Sequence, residues 1–358
     1  MSDKIQFGCL PTMIGSMPQT NPDDACGVVL RHLPAVPAWP QLPRRTPKEN
    51  MYAQFSEGFP GVVVEDSRIY IDRSRDIDGG LEKLYAAHAD NDASAYGISR
   101  DYAAGFHALL SSRADKAVAI KGQVTGPISW GLAVADGAQG ATAIRDRKFD
   151  VILQAIYDDT LADAIARHLR LKAAWQYQEL SRVSRNVIIF VDEPYLTSLG
   201  SAFVALPTEK VKELLEETLG GIGGLRGLHC CGNTDWSLLL GLPIDILSFD
   251  AYNYAGALSA YAAEVRSFLG KGSAIAWGIV PNDEDHLAKE TVASLKDRLE
   301  EAIAPFAKDG IAFRQLVKQS LVTPSCGLAS LSPAAAEQAL AFLAELSDKV
   351  RARYLGTA

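Results

Sequence analysis

Short, unbroken apolar runs alternate along this chain with longer stretches whose apolar residues recur at helical spacing. The runs lie near residues 10–14, 117–123, 187–191, 225–229, 244–249, 274–280 and 319–323. The clearest, Val187-Ile188-Ile189-Phe190-Val191, is apolar on both faces and rich in β-branched residues, as in a strand buried within a parallel sheet. Between the runs, periodicity predicts helices near 51–59, 80–90, 99–113, 145–182, 207–219, 234–240, 257–269, 288–305 and 332–352. Two regions break the alternation. Residues 22–47 hold six prolines and little periodicity, and read as loop. Val62-Val63-Val64 and Arg68-Ile69-Tyr70-Ile71 flank Glu65-Asp66-Ser67 and read as a hairpin.

A strand followed by a helix, repeated in units of 25–45 residues, calls for a parallel sheet with helical crossovers. Seven buried strands fall one short of a closed barrel, and the segment near 60–65 is the candidate eighth. The expected fold is α/β: a (β/α)8 TIM barrel with an irregular N-terminal extension and a hairpin, residues 1–358 forming a single catalytic domain. No Gly-x-Gly-x-x-Gly follows an early strand, which argues against a dinucleotide-binding sheet.

Composition changes the picture mainly by exclusion. Hydrophobic residues at 48% and charged residues at 22% describe an ordinary globular chain. A formal net charge of −8 without a long basic run argues against nucleic acid and against an anionic membrane surface. No apolar run reaches the roughly 18 residues of a membrane span, and the N-terminal Met1–Phe7 segment is not a signal peptide. Five cysteines are an odd number, and sparse for 358 residues, so a disulfide framework is not expected. The expected location is a reducing cytoplasm, where clustered Cys and His more often bind metal or do chemistry.

The residues able to do chemistry stand just past strand ends: Ser16, Gly126, Asp192, His229, Cys231, Asp250 and Cys326. Barrel enzymes keep their sites there. His229 and Cys231, at i and i+2 in Leu228-His229-Cys230-Cys231-Gly232-Asn233, leave the strand end on one side and can face one ion; Cys230 points away. Cys326, in Thr323-Pro324-Ser325-Cys326-Gly327, comes from the last strand. Zinc accepts this donor set, with Asp250, water or substrate as a fourth ligand, and an open position is catalytic in type. The plainer alternative is that free cysteines simply fill a core. A free thiol has a pKa of about 8.5, whereas a metal-bound thiol is deprotonated, so the set suits activation of a further thiol. A zinc hydrolase is disfavoured because no His-Glu-x-x-His is present. The turn at Ile14-Gly15-Ser16 can present N–H groups to an anion or be only a turn, and Asp192 either caps a helix or faces a ligand. His88 and His107 lie on the predicted helices and read as packed or surface residues.

In this order the motifs resemble the C-terminal catalytic barrel of the cobalamin-independent methionine synthases. More narrowly, they resemble the short "core" enzymes of the uroporphyrinogen decarboxylase/methionine synthase-like superfamily. Ile14-Gly15-Ser16-Met17-Pro18-Gln19-Thr20 is similar to the family's Ile-Gly-Ser-Phe-Pro-Gln-Thr, and Thr125-Gly126-Pro127 to its Thr-Gly-Pro-Val-Thr. Asp192-Glu193-Pro194 resembles Asp-Glu-Pro-Ala, His229-Cys230-Cys231 resembles His-x-Cys, and Pro324-Ser325-Cys326-Gly327-Leu328 resembles Pro-Asp-Cys-Gly-Leu. The resemblance implies that His229, Cys231 and Cys326 hold Zn2+, with Asp250 where the family has a glutamate ligand. It implies that backbone groups at Ile14, Gly15 and Ser16 hold the carboxylate of homocysteine and that Asp192 holds its ammonium. The implied activity is zinc-dependent methylation of the homocysteine thiol, giving methionine.

The departures bear on the methyl donor. Over these 358 residues a second barrel of the kind that helps the full-length enzymes bind folate is not expected. No histidine stands after Trp277-Gly278-Ile279-Val280-Pro281-Asn282, where the family has a proton-transfer residue; His286 lies several residues on. The family's second amino-binding glutamate has no clear counterpart, with Arg45 near its place and Glu49 and Glu57 nearby. A folate nitrogen leaves poorly unless protonated, whereas a methyl–cobalt bond needs no acid. The expected donor is therefore a methylcorrinoid, either methylcobalamin or a corrinoid protein. Two rivals stand beside this expectation. One is a related corrinoid-dependent methyltransferase acting on another thiol such as coenzyme M. The other is a non-catalytic zinc-binding partner of a corrinoid protein.

Overall fold

The structure, a computed structural model, describes residues 5–65, 68–112, 114–137, 154–201 and 204–357. Its strands are β1 (Leu10–Pro11), β2 (Val62–Glu65), β3 (Arg68–Ile71), β4 (Ile120–Thr125), β5 (Ala135–Asp136), β6 (Val187–Asp192), β7 (Leu225–Cys230), β8 (Ile246–Phe249), β9 (Ala274–Val280) and β10 (Ser320–Pro324). Seven of them form one parallel sheet in the order β1-β10-β9-β8-β7-β6-β4. Each run of the sheet returns through helix: Asp159–Leu180 leads into β6, Thr208–Leu219 into β7, Trp236–Gly241 into β8, and Val292–Lys308 and Phe313–Lys318 into β10. This is the α/β, TIM-like barrel expected from the alternation.

The eighth stave is not the one expected. The 62–65 run pairs antiparallel with β3, and β3 pairs with β5, in a separate three-stranded sheet. The turn at Asp66-Ser67 lies outside the described residues. The gap between β1 and β4 is instead bridged by residues 35–41, part of the proline-rich stretch read as loop. The N–H groups of Val118 and Lys121 donate to Ala35 O and Pro37 O at 2.8 and 2.9 Å. On the other side Gln41 N donates to Gly15 O at 3.0 Å, and Met17 N to Gln41 O at 2.9 Å. Proline fixes an extended φ and lacks an N–H, so Pro37 and Pro40 permit a stave with few ladder bonds while erasing the apolar signature of a strand.

Pro22–His32, within the same stretch, is helical. Pro22 sits in the first turn, where its missing N–H costs nothing, and Asn21 accepts from the N–H groups of Asp23 and Asp24. The long helix expected from 145 begins at Asp159, capped by Asp158; residues 145–153 lie outside the described residues. Two expected helices are each split, into Ala251–Ser259 and Ala262–Gly270, and into Glu284–Leu287 and Val292–Lys308. Thr291 and Ser294 form a capping box that starts the last of these.

The inside of the barrel is filled from all eight staves. Val36 of the proline-rich stave packs with Ala119, Ile188, Phe190, Ile246, Ala274, Ala276 and Leu321, and Phe7 joins them, with Leu10 and Leu225 against the cluster. The N-terminal end is thus sealed by apolar side chains, which leaves the polar residues at the opposite strand ends as the candidate site.

Candidate metal centre and substrate cavity

β7 delivers His229 to the last turn of its run, and the alternation of a strand sends Cys230 the other way. Cys230 is fully buried, its thiol bonded to Gly232 O at 3.7 Å and pushed up to about 12 by burial. Cys231 turns back toward His229 at the open end. β10 ends beside β9 with a register shift between Thr323 and Pro324, which carries Cys326 over the same end. The donor atoms of His229, Cys231 and Cys326 all lie within 4.8 Å of one another. A hydrogen bond from Cys326, helped by the His229 ring and opposed by burial, brings the Cys231 thiol down to about 4. The same bond and burial push Cys326 well above the ordinary thiol value.

The imidazole decides how this group fits a metal. His229 Nδ1 is 2.9 Å from Ser248 Oγ on the neighbouring strand β8, while its Nε2 is buried with no hydrogen-bond partner among the described residues. A buried polar nitrogen without a partner is costly. One placed beside two thiols, with its other nitrogen held by a hydroxyl, could serve as a metal ligand. Soft sulfur and imidazole donors suit zinc. Asp250 stands outside the group. It caps Ala251–Ser259, with Oδ1 accepting from Asn253 N at 3.0 Å and Oδ2 from Asn253 Nδ2 at 2.7 Å, so both oxygens are engaged.

Beside the donors lies a cavity of about 280 Å3, lined in part by Ile14, Ser16, Glu49, Asp192, His229, Cys231 and Cys326. The turn residues present one kind of group to it. The carbonyls of Ile14, Gly15 and Ser16 accept from Lys121 Nζ, Gln41 N and Leu328 N, whereas none of their three N–H groups donates to another group among the described residues. Gly15 has no room for a side chain: a Cβ would stand 2.5 Å from Gln41 Oε1 and 2.8 Å from Gln123 Cδ.

Asp192 ends β6 and does not cap a helix. Burial raises its carboxyl to about 6, against the pull of Lys121 and His229, and its Oδ1 has no partner among the described residues. Its neighbour Glu193 faces away, accepting from Ile128 N and Ser129 N at 2.9 Å each and from Ser129 Oγ at 2.6 Å. Glu193 thereby ties the N-terminal turn of Pro127–Ala133 to the end of β6, and burial raises it to about 7.

No family model matches this sequence, and no curated protein does. A solved structure matches. The B12-independent methionine synthase from Shewanella sp. W3-18-1, in complex with selenomethionine, has a TM-score of 0.54 at 15% identity. The match covers 97% of this chain and 99% of that one. At that identity the likeness establishes a shared barrel fold and leaves residue roles to the site itself.

Three contributors to the site carried no motif. Lys121 is fully buried, its Nζ donating to Ile14 O at 2.6 Å and lying 4.3 Å from the Phe190 ring centroid; burial depresses it to about 8. Glu49, just past the proline-rich stretch, is fully buried, paired with Arg45 at 2.6 Å and raised by burial. Ser248 is a single hydroxyl in an apolar strand. The signal was available in each case: a charged or polar residue inside a run that is otherwise apolar or unpatterned. Glu57, weighed beside Glu49, is not among the lining residues; its Oε2 accepts from Ser99 N at 2.7 Å. His88 bonds Glu217 and Arg167, and His107 bonds Ile98 O, so both serve packing.

Proposed function

We propose that this chain is a zinc-dependent methyltransferase that methylates the thiol of homocysteine to give methionine, acting as one catalytic domain with a methylcorrinoid as donor. One observation carries the metal part: the partnerless Nε2 of buried His229 beside the thiols of Cys231 and Cys326. Bound zinc supplies a Lewis acid that keeps an acceptor thiol deprotonated at neutral pH. With its Nδ1–H donating to Ser248, His229 keeps the Nε2 lone pair free for the ion. Ligand pockets for drug-sized molecules run from about 300 to 1,000 Å3, so a cavity of 280 Å3 suits a small amino acid with the donor reaching in from the mouth. The free N–H groups of the Ile14–Ser16 turn suit the carboxylate, and Asp192, with Glu49 on the same wall, suits the ammonium. A sulfonate-bearing thiol such as coenzyme M brings no ammonium to the buried Oδ1 of Asp192, which would stay without a hydrogen-bond donor.

The donor rests on a separate argument. Transfer forms an S–CH3 bond as the methyl–donor bond breaks, with the electron pair staying on the leaving group. His229 is the only imidazole lining the cavity among the described residues, and it is assigned to the metal. A leaving group that needs no proton suits such a site. The Shewanella protein is B12-independent, so the likeness itself lends no support to a corrinoid. The five cysteines are free thiols, in keeping with a reducing cytoplasm. No helix among the described residues is long and apolar enough to cross a membrane.

The test is methyl transfer to homocysteine measured side by side with methylcobalamin, a methylated corrinoid protein and methyl-folate, with metal content determined on the same sample. The proposal expects methionine from a corrinoid donor and about one zinc per chain. Turnover with methyl-folate alone would reverse the donor assignment. A zinc-loaded protein inert with every donor would favour the non-catalytic partner reading.

A further inference from the structure

Cys326 sits in the loop that follows β10, and a loop does not by itself hold a thiol in register with a histidine on β7. The loop is anchored on both sides. Beyond the strands, Ser325 N donates to Val280 O at 2.8 Å, extending the β9–β10 ladder past the register shift. Two residues past the end of β9 comes Asn282. Its Oδ1 accepts from Ser325 Oγ at 2.9 Å, and its Nδ2 donates to Gly327 O at 3.3 Å. Its backbone carbonyl accepts from Ser330 Oγ at 3.2 Å. A single planar amide therefore grips the residues immediately before and after Cys326. From the opposite side the substrate turn closes on the same loop: Leu328 N donates to Ser16 O at 2.8 Å, and a Cβ on Gly327 would collide with Ser16 Oγ.

From this juxtaposition we infer that Asn282 is the positioning residue of the metal centre, its side-chain amide spanning Ser325 and Gly327 to aim the Cys326 thiol at His229 and Cys231. The inference rests on the metal site proposed above. Asn282 is absent from the cavity lining, so it acts through Cys326 and not on substrate. The chemistry asks for an amide. One end must accept from a hydroxyl while the other donates to a carbonyl, and a carboxylate can do only the first. Asp at this position would also set a negative charge against the Gly327 carbonyl.

The experiment uses the full chain stripped with chelator, titrated with zinc against a competing chelator, and separately loaded with Co(II) so that the thiolate-to-cobalt absorption reports sulfur ligation. Outer partners of metal ligands are worth about 10–100-fold in affinity. Asn282→Ala and the near-isosteric Asn282→Asp are expected to lose zinc affinity by about that factor and to weaken or shift the cobalt–thiolate band. Ser325→Ala, which removes one of the two grips, is expected to lose less. The cobalt band decides the matter whichever way the apo-protein's melting temperature moves. An unaltered band and unaltered zinc affinity in both Asn282 variants would overturn the inference while leaving the metal site standing. A wild-type chain that binds neither ion would overturn the metal site and this inference with it.

Discussion

His229 and His168 are both buried, and each makes one hydrogen bond and leaves the other ring nitrogen without a partner among the described residues. Their surroundings differ. His168 bonds Phe55 O at 2.7 Å and lies edge-on to the rings of Phe59 and Tyr96, with centroids at 5.3 and 5.6 Å. Burial, reinforced by the neighbouring Lys172, drives its pKa well below the ordinary value, so it is a neutral ring wedged between the barrel and the N-terminal extension. The free nitrogen of His229 instead lies beside two sulfurs and borders a cavity. A buried histidine becomes a ligand through its company. The half-satisfied imidazole is common to both places; the soft donors and the open space belong to one.

The comparison breaks most sharply at the metal. His229→Ala or Cys326→Ser should abolish stoichiometric zinc while the barrel stays folded, because a core filled from eight staves does not depend on one ion at its mouth. Metal analysis and circular dichroism on the same sample check this, and unfolding on metal loss would contradict it. His168→Ala should do the reverse. It leaves Phe55 O unbonded and a cavity behind, costing about 2–4 kcal/mol in denaturant melts, with zinc content unchanged. Asp192→Asn should leave both zinc and fold in place and raise the KM for homocysteine by about 10–100-fold, the worth of a charged hydrogen bond. An unchanged KM would remove Asp192 from the substrate.

The smallest effect is a slope. Burial depresses Lys172 from 10.5 to about 8 in the folded chain, where its Nζ donates to Gly97 O at 2.9 Å. Between those values the unfolded chain holds a proton that the folded one sheds, so stability should rise with pH across that window. Its contribution is full above 10.5 and is lost as the pH falls to about 8. Lys172→Met should flatten that slope and leave zinc binding untouched. A pH profile identical to wild type would show that Lys172 is not depressed.

The sequence made the barrel legible because buried parallel strands leave a plain signature, as at Val187–Val191. It also made the meeting of His229 and Cys231 legible, because i and i+2 on a strand end share a side. It concealed the eighth stave. Residues 35–41 hold the barrel wall with prolines, and Val62–Val64 offered a better apolar run that pairs elsewhere. Lys121, Ser248 and Asn282 were hidden for another reason. Each acts through a contact with a residue distant in the chain, Ile14, His229 and the Cys326 loop, and no local pattern names that partner. Asp250, read from its strand end as a ligand, also caps the helix behind it, its Oδ1 accepting from Asn253 N and its Oδ2 from Asn253 Nδ2, a second duty its position did not announce.

The most direct test of the central claim is X-ray absorption at the zinc edge of the purified chain without substrate. The account predicts two sulfur neighbours at about 2.3 Å and an imidazole, with the sulfur count falling to one in Cys231→Ser and in Cys326→Ser. Zinc bound through oxygen and nitrogen alone, or a sulfur count unchanged in those variants, would contradict it.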